Sequence, residues 1–143
     1  MEGAPEDDAP RGPADLPPQS EFAKLAGIRL VEATLDRVIC EMEVTPQLTN
    51  RNGVLHGGAM MTLADNAAGS VAFINIPASK SNTTVEAKTN FLRGVKVGDT
   101  VRATCTALHR GRTTMVLQVV MTRGDGKQAA VTTQTHLILD WNG

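Results

Sequence analysis

Asp65 is the only acid between Glu43 and Glu86. Around it Met60, Leu63, Ala64, Ala67, Ala68, Val71 and Ala72 recur at helical spacing, and a helical wheel sets Asp65 beside that apolar stripe, close to Met61, Ala68 and Ala72. A carboxylate in such a place costs free energy unless it is hydrogen-bonded, paired or used. Two readings stand on this feature alone: a solvated or interface-capping acid, and a reactive carboxylate. Just upstream, the polar, glycine-rich run from Thr49 to Gly58 ends in His56-Gly57-Gly58, where a helix would start. Backbone N–H groups at a helix start have no partner inside the helix and lie at the positive end of its dipole. They can hold developing negative charge, as an oxyanion hole does.

The elements that must position these groups follow from periodicity. The spacing predicts a long helix from His56 to about Asn75, and its small residues let a covering sheet lie close. A short helix is expected over Glu21 to Ala26, closed by Gly27 as a left-handed cap. Alternation begins at Ile28 and is plain at Val38, Cys40, Met42 and Val44, a strand closed by Pro46. Residues 83–93, 99–109, 112–123 and 128–139 read as further strands, separated by turn signals at Arg93-Gly94, His109-Arg110-Gly111 and Gly124-Asp125-Gly126. Consecutive strands joined by short turns are expected to pair antiparallel. The class is α+β, an antiparallel sheet on one central helix.

Composition narrows the function classes. The 143 residues suit one hydrophobic core, and a formal net charge of -1 carries no argument for nucleic acid or anionic membranes. Residues 1–19 hold five of the seven prolines and five acids against the single base Arg11. They read as a disordered acidic tail whose removal should leave stability and turnover unchanged, and residues 20–143 as the folded domain. No run of eighteen apolar residues and no signal-peptide pattern occurs, so a cytoplasmic location is expected. Cys40 and Cys105 lack metal or redox spacing and read as buried thiols.

The run Asn50 to Gly58 followed by Ala59-Met60-Met61-Thr62-Leu63-Ala64-Asp65-Asn66-Ala67-Ala68-Gly69 resembles the signature of hotdog-fold acyl-CoA thioesterases of the phenylacetate-degradation (PaaI-like) type. Blocks at Thr84 to Arg93 and at His109-Arg110-Gly111-Arg112-Thr113 are similar too, so the likeness spans residues 25–139. It implies a curved antiparallel sheet of about six strands around one helix, and hydrolysis of an acyl-CoA thioester. It further implies homodimers joined at their sheet edges, which often pair again into tetramers, with each active site shared between subunits.

By the same resemblance Asp65 is the general base or nucleophile, and the Gly57 amide polarises the thioester carbonyl. Asn50 holds the carboxylate or the water, His56 is the motif histidine, and Thr84 falls where a water-positioning hydroxyl occurs. Asn90, Arg93, Arg110 and Arg112 are the expected coenzyme A contacts, the last two by charge as well. Coenzyme A belongs to the substrate, and no cofactor or metal is expected. Plainer readings stand beside these: His56 and Asn50 as loop-forming residues, Gly57 as a helix-start glycine, Met60 and Met61 as packing, and the arginines as solvated turn residues. The alternatives to hydrolysis are a non-catalytic acyl-CoA binding or sensing module and the hydration of enoyl-CoA.

Overall fold

A computed structural model describes residues 9–141. Its elements are α1 (Glu21–Ala26), β1 (Ile28–Ala33), β2 (Val38–Glu43), α2 (Gly57–Ile74), β3 (Lys80–Phe91), β4 (Thr100–Arg110), β5 (Thr114–Thr122) and β6 (Gln128–Asp140). One six-stranded antiparallel sheet, in the order β1-β2-β4-β5-β6-β3, wraps the long helix.

Each helix ends where its local chemistry says it should. Ser20 caps α1 by accepting from the Ala23 N–H at 3.1 Å, and Gly27 closes it with φ 76, a left-handed conformation costly for any residue with a Cβ. Helix α2 buries Leu63, Ala64, Ala67, Ala68, Val71 and Ala72 completely. They pack against the inward residues of the sheet: Cys40 and Met42 of β2, Val101, Ala103 and Cys105 of β4, and Leu117, Val119 and Met121 of β5. Alanines on the helix bring its axis close to the strands, and larger methionines and leucines opposite fill the space. Both cysteines are free and buried, and burial pushes their thiols up to about 11 for Cys40 and about 12 for Cys105.

The structure departs from expectation in two places. The Arg93-Gly94 turn does not make a hairpin: β3 lies at the far edge of the sheet and pairs with β6, while β4 pairs with β2 and β5. The connection instead passes the loop before α2, where the Leu55 N–H donates to the Val95 carbonyl at 2.8 Å and Val95 is buried. Short loop length alone cannot decide between pairing and crossing.

The second departure is the expected disordered tail. Residues 1–8 lie outside the described residues, but residues 9–19 run along the body. The Arg11 N–H donates to the Ile76 carbonyl at 3.0 Å, and its guanidinium donates to the carbonyls of Ala78 (3.1 Å) and Lys80 (3.2 and 3.3 Å). It also lies 4.2 Å over the Phe73 ring. One arginine thus ties the segment to the end of α2, which a reading based on the low apolar content of the tail could not register. Among the described residues no helix is long and apolar enough to cross a membrane.

Candidate active site

Helix α2 begins with a cap that its own sequence supplies. His56 has extended backbone (φ -63, ψ 136), and its Nδ1 accepts from the Gly58 N–H at 2.8 Å. His56 is therefore the N-cap residue, the plainer of its two sequence readings. Among the described residues the Gly57 N–H meets no acceptor. A Cβ at Gly57 would stand 3.2 Å from the Phe91 ring, so the glycine is where helix start and β3 come closest.

Asn50 builds the preceding loop. Its Oδ1 accepts from the N–H groups of Asn52 (2.9 Å) and Val54 (3.3 Å), and Gly53 turns the chain with φ 79. Only the Asn50 side-chain carbonyl is engaged this way; its Nδ2 donors are unmatched among the described residues. Asn50, Gly57 and Arg93 line one cavity, so two free N–H donor groups and a cation border the same space. The Arg93 guanidinium also donates to the Gln128 carbonyl at 2.8 Å.

Asp65 lies elsewhere. It follows Gly57 by eight residues of helix, which at about 1.5 Å per residue is about 12 Å along the axis. Its side chain is exposed on the single chain and lines a cavity of about 360 Å³ with Met61, Thr62, Ala87 and Gln134. The Thr84 hydroxyl donates to Asp65 Oδ1 at 2.8 Å. Of the methionine pair, Met60 is buried as packing and Met61 borders the carboxylate.

A β-bulge makes the Thr84 contact possible. The β3–β6 register shifts between Thr84 and Glu86. Before it Asn82 and Thr84 face the helix; after it Ala87 and Phe91 do. Even positions therefore face inward on one side of the bulge and odd positions on the other. Strict alternation would let β3 present Thr84 to Asp65 or Phe91 to Gly57, but not both.

Behind Thr84 stands a buried polar group absent from the sequence expectations. His136, on the inward face of β6, is 1% exposed; its Nε2 lies 3.2 Å from Thr84 Oγ1 and 2.8 Å from Gln134 Oε1, and its Nδ1 3.1 Å from Asn82 Nδ2. Burial holds the imidazole below its ordinary pKa, against the opposing pull of the Asp65 carboxylate. The available signal is the alternation of Thr132, Gln134 and His136, which marks a polar stripe only once their face is known to be the buried one.

The other expected coenzyme A contacts are not brought to Gly57 within one chain. Asn90 is exposed and follows the parity of Lys88, on the face of β3 opposite Phe91. Arg110 donates to Asn75 Oδ1, the Leu35 carbonyl and Asp36 Oδ1, at the C-terminal end of α2, about 27 Å along the axis from Gly57 for an 18-residue helix. Arg112 is exposed in the β4–β5 turn. Among the described residues no cluster of three His, Cys, Asp or Glu side chains could hold a metal.

A six-stranded antiparallel sheet curled around one long helix, with a helix-start donor and a helix carboxylate, defines the hotdog class. The thioesterase superfamily model matches residues 52–130, a span that includes Gly57, Asp65 and Thr84. Human acyl-coenzyme A thioesterase 13 is 33% identical over 111 residues, covering 76% of this chain and 79% of that protein. A Pseudomonas aeruginosa thioesterase superposes with a TM-score of 0.81 at 28% identity, over 84% of this chain and 86% of that one. A Streptococcus mutans protein solved with bound acetyl-CoA gives 0.74 at 28% identity, over 81% and 91%. The chain spans 59% of the length of a Caenorhabditis elegans relative that it matches at 36% identity over 101 residues. The chain belongs to the thioesterase superfamily and is a thioester hydrolase.

Proposed function

We propose that the substrate is an acyl-CoA thioester, hydrolysed to the free acid and coenzyme A with Asp65 as the reacting carboxylate. The observation that carries this reading is Asp65 itself, an exposed carboxylate beside the apolar stripe of α2, held by Thr84 at the wall of a cavity. The Gly57 N–H, at the positive end of α2, suits the carbonyl oxygen as it gains negative charge. The Asn50 Nδ2 group lines one cavity with Gly57, apart from that of Asp65, and supplies a second donor.

Two routes use the same atoms. As general base, Asp65 takes a proton from water while the water oxygen bonds to the thioester carbon, and the C–S bond then breaks to release the coenzyme A thiolate. As nucleophile, a carboxylate oxygen bonds to the carbonyl carbon, the thiolate leaves, and water cleaves the resulting anhydride. In a single turnover in heavy-oxygen water, label in the Asp65 carboxylate requires the nucleophile, because water has then opened the anhydride at the aspartyl carbon. An anhydride opened at the substrate's acyl carbon labels only the product, as the base route does, and a burst of thiol ahead of free acid separates those two.

The separation of about 12 Å between Gly57 and Asp65 is too great for one carbonyl to meet both in a single chain. A second copy, paired along the open edge of β3, supplies the missing half in our reading, so that each site joins the Asp65 of one chain to the Asn50–Gly57 loop of its partner. Arg93, beside that loop, fits coenzyme A phosphates. Release of thiol from a panel of acyl-CoAs tests the substrate class; absence of turnover with all of them would favour a binding module instead. No resident cofactor enters either route.

A further inference from the structure

The hydrogen bonds behind Asp65 have a direction that only their full accounting reveals, and the inference resting on it takes Asp65 as the reacting carboxylate. Asn82 Nδ2 is an amide nitrogen and can only donate, so His136 Nδ1, 3.1 Å away, accepts and carries no proton. The imidazole proton is then on Nε2. That N–H faces Gln134 Oε1 at 2.8 Å, an atom that can only accept, and Thr84 Oγ1 at 3.2 Å. Thr84 has one hydroxyl proton, and the ionised Asp65 carboxylate can only accept it, at 2.8 Å. Each link agrees with the next, from the Asn82 amide through the imidazole and the hydroxyl to the carboxylate.

We propose that His136 is a positioning residue for hydrolysis: by sharing its one Nε2 proton between Gln134 Oε1 and Thr84 Oγ1 it offers the hydroxyl no acceptor on that side and commits the threonine proton to Asp65 Oδ1, leaving Oδ2 as the oxygen that meets water or the thioester. Without that donation the hydroxyl rotor has a choice of acceptors, because His136 with its proton on Nδ1 would present a bare Nε2 to Thr84 and draw the hydroxyl proton away from Asp65. The relay of bonds thereby assigns Thr84 to orienting the carboxylate. Water, which the resemblance expects Thr84 to position, is then held only as a donor to the hydroxyl's remaining lone pair. The burial of His136 serves the arrangement, since water cannot compete for either ring nitrogen.

His136 acts only through Thr84 in this scheme, and a double-mutant cycle on the full chain reads that dependence. Thr84→Val and His136→Leu are each expected to lower kcat roughly tenfold, the loss of one orienting hydrogen bond, with KM within about twofold. The double variant is expected to be no slower than the slower single variant. Losses that multiply, or a His136→Leu effect on KM alone, would overturn the proposal and leave His136 as core packing. Nitrogen-15 shifts of the wild-type imidazole test it without any variant: a proton on Nε2 is expected, and a proton on Nδ1 contradicts the relay even if His136→Leu fails to fold. Near-wild-type turnover of Asp65→Asn would instead remove the underlying assignment, and the cycle would then report on a different reaction.

Discussion

Aspartate and asparagine have nearly the same shape, so the substitution Asp65→Asn isolates the charge. The amide can still accept from Thr84, but it can neither take a proton nor attack. The expected result is a fall in kcat of at least roughly 100-fold with the circular dichroism spectrum and melting temperature preserved. Turnover close to wild type would exclude Asp65 from the chemistry. Asn50→Ala removes both the loop-forming carbonyl and the free donors, so it should cost about 1 kcal/mol of stability and lower kcat less than Asp65→Asn does. An equal loss of kcat would mean that Asn50 reacts or binds more directly than its geometry indicates.

His136 carries a prediction of its own at this scale. Its pKa is lowered in the folded chain, first by burial and against the Asp65 carboxylate, the charged group facing it; Asn82, Thr84, Gln134 and Met115 around it are neutral. As pH falls below the ordinary value near 6.5, the unfolded chain therefore takes up a proton before the folded one does. Stability is lost between that value and the lower folded one. Urea unfolding at pH about 7 and about 5 should show a loss in wild type that is smaller in His136→Gln; equal losses would place the proton uptake elsewhere. None of this is legible from His136 alone. A histidine in an alternating strand is indistinguishable from a solvated one until the strand's buried face is known.

Among the elements, helices are the most legible. Local caps and a 3.6-residue period determine where α1 and α2 run, and both lie within a residue or two of where the pattern puts them. Strand β3 is less legible, because its place beside β6 and its bulge depend on residues about fifty positions away. The N-terminal segment escapes composition for a related reason: its content is that of a solvated tail, yet Arg11 finds three carbonyl bonds and an aromatic face in residues 73–80. Arg11→Ala is expected to lower stability by about 1 to 2 kcal/mol, the sum of modest, partly exposed contacts. Deleting residues 1–19 should cost at least as much. Unchanged melting temperatures for both would show that the segment contributes nothing in solution.

In the proposed dimer the two halves of the site become one. The motif residues Asn50, His56, Gly57 and Asp65 are all legible as a set, but the separation of Asn50 and Gly57 from Asp65 into different cavities is not, since a linear signature carries no distances. Edge strand β3 leaves one side of the sheet open for a second chain, and the same strand contributes Thr84 and Phe91 to the two halves. A site shared in this way is regained when two inactive variants with complementary defects are mixed. Asp65→Asn removes the carboxylate. Gly57→Pro removes the N–H at the first helical position, where the extended His56 suits a following proline and the Phe91 ring must shift by a small amount to clear the new side chain. Dimers purified with one subunit of each kind hold one site with both defects and one with neither. Thiol release from acyl-CoA should then return to about half the wild-type rate per dimer. Correctly assembled mixed dimers that remain inactive would contradict the account and place a complete site within each chain.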